Sequence, residues 1–118
     1  MFEVRAEPAT GGVVVVRAVG EVDLTVSPGL EQTLVAVADS GAARQIVVDL
    51  EGLRFIDSSG VHALVKGYHA ANRAGGSLVV RNATGVVARV LQITGVADAL
   101  GMPPTAADSD ADDFRKGA

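Results

Sequence analysis

Residues Ile46 to Gly60 read I-V-V-D-L-E-G-L-R-F-I-D-S-S-G, and this stretch decides the fold. The apolar run Ile46-Val47-Val48 predicts a buried strand. Asp49 and a glycine-containing connection lead from it to Phe55-Ile56, after which an acid, two hydroxyls and a glycine open a helical pattern. In that pattern Val61, Leu64, Val65, Tyr68 and Ala71 recur at spacings of three and four, so one apolar stripe packs downward. Asp57, Ser58 and Ser59 therefore belong at the exposed end of the helix. There the first-turn N–H groups lack partners, and a serine side chain or a phosphate accepts from them readily. Both capping and chemistry have a use for serine at this place.

Upstream, Phe2, Val4 and Ala6 alternate with Glu3, Arg5 and Glu7, the period of a strand with one wet face. Gly11-Gly12 permits a tight reversal into Val13 to Val19, giving an antiparallel hairpin whose second strand is the more buried. Gly20 is expected to end that strand, and the acidic residues of the following Glu21-Val22-Asp23 fall where the strand should surface. Ser27-Pro28 reads as an N-cap followed by proline at the first helical position. Leu30, Leu34 and Val37 supply the packed face, and Gly41 stops the helix. The return into Ile46 makes a right-handed parallel crossover.

Downstream, the helix from Ser58 or Ser59 to Ala74 stops at Gly75-Gly76, and Leu78-Val79-Val80 forms another buried strand. Val86, Val87, Val90, Leu91 and Ile93 predict a third helix ending near Gly95, with Val96 to Leu100 as a short final turn. The fold class is α/β: a mixed β-sheet of about four strands with helices packed mainly on one face.

A chain of 118 residues with 48% hydrophobic residues supplies one core and one domain. Cysteine is absent, so neither a disulfide framework nor a thiolate metal site is on offer, and a reduced cytoplasmic setting is compatible. Apolar runs such as Val13 to Val16 are far shorter than the ~20 residues of a membrane span, and no leader-like segment precedes the fold. A soluble, unexported protein without membrane contact is expected. The net charge of −4 and 3% aromatic content argue against direct nucleic-acid binding. Asp108, Asp110, Asp112 and Asp113 crowd the last eleven positions, where apolar periodicity has vanished. Residues 1–103 are read as the domain and residues 104–118 as a disordered acidic tail.

His62, Lys66, His69 and Arg73 share one face of the second helix, as a solvated stripe or a contact for an acidic surface. The two histidines are too far apart for a shared metal and H-E-x-x-H is missing, so no metal site is expected. No G-x-x-x-x-G-K-[ST] loop occurs, so any phosphate must come from another protein and no cofactor is expected. An enzyme using Ser59 as nucleophile with His62 or His69 as base lacks the G-x-S-x-G elbow, and the base would lie on the nucleophile's own helix. The reading is a binding protein, not an enzyme.

F-I-D-S-S-G-V, with G-E-V-D upstream and A-G-G-S-L-V-V downstream, resembles the STAS-domain anti-sigma factor antagonists of bacteria from about Phe2 to Leu100. The resemblance implies a STAS fold and makes the second serine of D-S-S-G, Ser59, the phosphorylation site. Ser58 is then left to cap the helix. It also sets the loop bearing Asp23 beside the serine turn, with Asp23, Ser27, Asp57, Ser58, Ser59, Gly60 and His62 forming the partner surface. The implied partner is an anti-sigma factor of the GHKL serine kinase type, which binds its own ATP and Mg²⁺. Unphosphorylated, the chain captures this partner and frees the sigma factor; phosphorylation ends the capture, and a serine phosphatase resets it. An alternative keeps the fold as a scaffold or accessory subunit of a signalling assembly or transport system. Leu24-Thr25 departs from the polar residues that family members often carry after G-E-V-D.

Overall fold

The computed structural model describes residues 1–102. In chain order the elements are β1 (Phe2–Ala6), β2 (Val13–Val22), α1 (Ser27–Asp39), β3 (Gln45–Asp49), β4 (Leu53–Ile56), α2 (Ser58–Arg73), β5 (Ser77–Arg81) and α3 (Gly85–Ile93). The sheet runs β1-β2-β3-β5, with β4 also paired to β2. Only β1 and β2 are antiparallel; the other pairs are parallel, as crossover connections require. The expectation for residues 104–118 lies outside the described residues.

β2 is the spine of the sheet. Val14, Val16, Ala18 and Val22 alternate inward along it and are buried, while Arg17, Val19 and Glu21 face out. Register carries this pattern across the neighbours: Val14 lies beside Ile46 and Ile46 beside Leu78, and Val16, Val48 and Val80 form the next row. All six are buried, so strand alternation in three separate segments adds up to one apolar floor. Leu30 and Leu34 of α1, Leu64 of α2 and Leu91 of α3 close over it with no measurable exposure.

Two features differ from the sequence expectation. β2 does not end at Gly20 but runs on to Val22 through a register shift between Gly20 and Glu21. Gly20 has φ +103°, and a Cβ there would lie 2.2 Å from the Met1 carbonyl oxygen, so only glycine lets β1 begin this close. Phe55-Ile56 also belongs to a fifth strand, β4, which takes over the side of β2 that β3 leaves after Asp49. The sheet is thus one strand larger than expected, and its added strand ends at the start of α2.

The opposite face of the sheet holds a polar ladder. Arg17 donates from Nε to Glu7 at 2.9 Å and from Nη1 to Asp49. The other oxygen of Asp49 accepts from the Glu51 N–H at 3.0 Å and the Asn82 amide at 3.1 Å. Burial pushes the Asp49 carboxyl up, but the Glu51 N–H, Asn82 and Arg17 outweigh it and hold the group below its ordinary range. Asp49→Ala should therefore cost about 1 to 3 kcal/mol, because several donors lose their acceptor. A depressed carboxylate contributes stability above its unfolded value of about 4, and that contribution is lost as pH falls through the folded value. Urea unfolding should show wild-type stability falling in acid, with a shallower fall in Asp49→Ala.

Candidate functional site at the start of helix α2

The first turn of α2 is fixed from below. Asp57 N–H donates to the Val22 carbonyl at 3.1 Å, tying the helix entry to the end of β2. Gly60 is buried in the first turn, and a Cβ on it would come within 2.5 Å of Ile56 Cγ1 and 2.7 Å of Val22 Cγ1. Glycine thus allows the helix to sit directly on the ends of β2 and β4. Expected from sequence on a partner surface, Gly60 in the structure presents nothing outward and seats the turn.

The capping assignment changes. The N-cap is Asp57, in extended backbone at φ −105° and ψ −174°, and its Oδ1 accepts from the Gly60 N–H at 3.1 Å. Ser58 is not the cap: it is the first helical residue and its side chain is exposed. Ser59, the second, is half-buried, because its hydroxyl turns back to donate to the same Asp57 Oδ1 at 2.5 Å. That hydroxyl is the largest influence holding the Asp57 carboxyl below its ordinary range, with burial opposing and the Gly60 and Ser59 N–H groups assisting. Removing the cap should cost about 0.5 to 2 kcal/mol in Asp57→Ala, and Ser58→Ala should be nearly neutral. Thermal unfolding of the two variants checks this division.

The loop before α1 resolves differently from its expected form too. Val26, not Ser27, occupies the N-cap position, and it makes no side-chain cap. Asp23 instead closes the turn that precedes the helix, its Oδ1 accepting from the Thr25 N–H at 3.0 Å and the Val26 N–H at 3.3 Å. Ser27 is left 6% exposed as the first helical residue, which moves Pro28 from the expected first helical position to the second.

Between the two helix starts lies an open groove of about 430 Å³. Ser58, Ser59 and His62 line it from α2; Leu24, Ser27, Pro28, Glu31 and Gln32 line it from the other side. The structure therefore gathers Ser27, Ser58, Ser59 and His62 into one concavity, with Asp57 beneath the serines. Asp23 is exposed in the adjoining loop but does not line the groove. Sequence reading missed Glu31 and Gln32, whose only signal was their place one turn into α1. Leu24, singled out as a departure in the loop, is 74% exposed at the groove edge, and Phe55 of β4 is 42% exposed. Lys66, His69 and Arg73 continue outward from His62 as an exposed stripe.

This arrangement offers a nucleophilic oxygen on a rigid helix start, a carboxylate holding it and a shallow surface with apolar and polar edges. Among the described residues no group of three or more potential metal ligands occurs, and no helix is long and apolar enough to cross a membrane. A five-stranded mixed sheet carrying a D-S-S-G helix start is the architecture of a STAS domain. The model of the STAS domain family matches residues 6–110. The anti-sigma-B factor antagonist of Bacillus subtilis is 33% identical over 79 residues, covering 67% of this chain and 71% of that protein. The anti-sigma F factor antagonist of Paenibacillus polymyxa is 31% identical over 85 residues, covering 72% and 73%. A crystal structure of an anti-sigma factor antagonist from Mycobacterium paratuberculosis gives a TM-score of 0.74 at 28% identity, covering 94% of this chain and 92% of that one. The chain belongs to the STAS domain family, and these relatives within it are anti-sigma factor antagonists.

Proposed function

We propose that this protein is a cytoplasmic binding switch that captures an anti-sigma factor when Ser59 is unmodified and releases it when Ser59 is phosphorylated. The observation that carries the reading is the Ser59 hydroxyl, held by Asp57 at the second position of α2 on the wall of an open groove. The partner is an anti-sigma factor of the GHKL serine kinase type, which brings its own ATP and Mg²⁺, and a serine phosphatase reverses the modification. Capture frees the sigma factor that the partner holds, so transcription changes without contact between this chain and DNA. The chain performs no catalysis of its own. Asp23, Ser27, Asp57, Ser58, Ser59 and His62 form or support the contact surface, with Gly60 seating it.

Physical chemistry supports such a switch without a change of fold. Phosphorylation adds about −1.5 to −2 charge. The helix N-terminus accommodates that charge within the free protein, and a partner already packed against the groove is repelled.

The test is a pull-down from the host comparing wild type with Ser59→Ala, followed by incubation of the captured partner with Mg-ATP and mass spectrometry. Wild type should acquire one phosphate, on Ser59, and Ser59→Ala none. Phosphate on Ser58 would overturn the assignment, and a partner that modifies neither serine would favour a scaffold role.

A further inference from the structure

One carboxylate oxygen at the start of α2 serves two donors whose demands separate once Ser59 is modified. Asp57 Oδ1 accepts both the Ser59 hydroxyl, at 2.5 Å, and the Gly60 N–H, at 3.1 Å. The first bond fixes the rotamer of the acceptor oxygen; the second caps the helix. Both depend on the carboxylate remaining where it is. On the reading that Ser59 is the phosphoacceptor, we propose that Asp57 is the positioning residue for the Ser59 hydroxyl and that phosphorylation evicts its carboxylate from the cap.

The chemistry is direct. Phosphoryl transfer forms an O–P bond at Ser59 Oγ, breaks the bond between the γ-phosphorus and its bridging oxygen in ATP, and releases the hydroxyl proton. The oxygen that donated to Asp57 then has no hydrogen to donate. In its place stands a dianionic group within contact distance of a carboxylate, and two anions this close do not both stay in place beside one set of N–H donors. The phosphate has the advantage in this competition. It carries more charge and three acceptor oxygens, and it is attached at the second helical position, beside the Gly60 N–H that Asp57 now holds.

The surroundings do not rescue Asp57. No acidic or basic residue other than His62 lies in the first turns of α2, and His62 lines the groove with the serines. Glu31 of α1 faces the same groove and Asp23 stands in the loop next to Val22, so two of the three neighbouring groups are acidic. The evicted carboxylate accordingly turns to solvent at the partner surface. The modified chain then presents a partner with two anions, the phosphate and the freed carboxylate, where the unmodified chain presents one carboxylate already hydrogen-bonded.

The experiment installs phosphoserine at position 59 during translation, so that no kinase is needed. Unmodified and phosphorylated chains are made with Asp57 intact and with Asp57→Asn. In the unmodified chain the Asp57 carboxyl, followed by carbon NMR, should titrate below the ordinary carboxylate range, and Asp57→Asn should lower the Tm. In the phosphorylated chain Asp57 should become at least about tenfold weaker as an acid, and Asp57→Asn should leave the Tm unchanged or raise it. An Asp57 carboxyl equally depressed in both chains, or an equal Tm loss in both, would overturn the proposal. Should Asp57→Asn fail to fold, the titration of the native carboxylate decides alone. Because the phosphate is installed directly, this result is independent of whether any kinase uses Ser59.

Discussion

Ser59→Glu is expected to weaken binding of the proposed anti-sigma factor partner by up to about a hundredfold, equivalent to ~2.7 kcal/mol, while Ser59→Ala should bind it and stay bound in the presence of Mg-ATP. The difference rests on charge placed on the groove wall between the starts of α1 and α2. Glutamate at position 59 sets a carboxylate next to Asp57 and removes the hydroxyl that now donates to it. One carboxylate carries less charge than phosphate and lacks its third oxygen, so the mimic should be partial. Alanine removes the hydroxyl but leaves the Gly60 N–H on Asp57, so the helix keeps its cap and stability should fall by only about 1 kcal/mol. Titration calorimetry with the captured partner measures both variants. Wild-type affinity in Ser59→Glu would show that charge at this position is not the signal.

Leu64→Ala should lower the unfolding free energy by about 2 to 5 kcal/mol, the range for deleting a large aliphatic side chain from a core that relaxes only in part. Leu64 has no exposed surface and belongs to the cluster that joins the three helices to the sheet. For a domain of this size, each kcal/mol corresponds to about 4 to 8 °C in Tm, so the variant should melt on the order of 10 °C or more below wild type. His62→Ala and Lys66→Ala lie on the exposed face of the same helix and should leave the Tm nearly unchanged. A neutral Leu64→Ala beside a destabilising His62→Ala would invert the assignment of faces. The position next to Leu64 is more tolerant than its apolar spacing implied. Val65 is only partly buried, so its truncation should cost less.

Local pattern determined much of this protein. Alternation in β1 and the three-and-four spacing of α2 report which face of each element meets the core, and the apolar runs of β2, β3 and β5 mark the buried strands. That information is carried by residues close together in the chain, and the three blocks G-E-V-D, D-S-S-G and A-G-G-S-L-V-V carried the family resemblance in the same way. The helix start at Asp57 to Gly60 was legible for the same reason.

Tertiary structure decided the rest, and in each case the deciding partner is remote in sequence or depends on backbone geometry that residue type does not specify. Leu53 to Ile56 becomes a strand only because β2 outlasts β3 and offers a free edge past the shift at Gly20. In sequence Asp49 only leads out of the Ile46 run, yet Arg17 and Asn82, which lie 32 and 33 positions away, make it the centre of a polar ladder. The cap passed from Ser58 to Asp57 because Val22 accepts the Asp57 N–H and holds that residue in the extended conformation an N-cap needs. Ser59 turned inward for the same reason: a cap placed one residue earlier puts a carboxylate within reach of its hydroxyl, which residue types alone left equally open to Ser58.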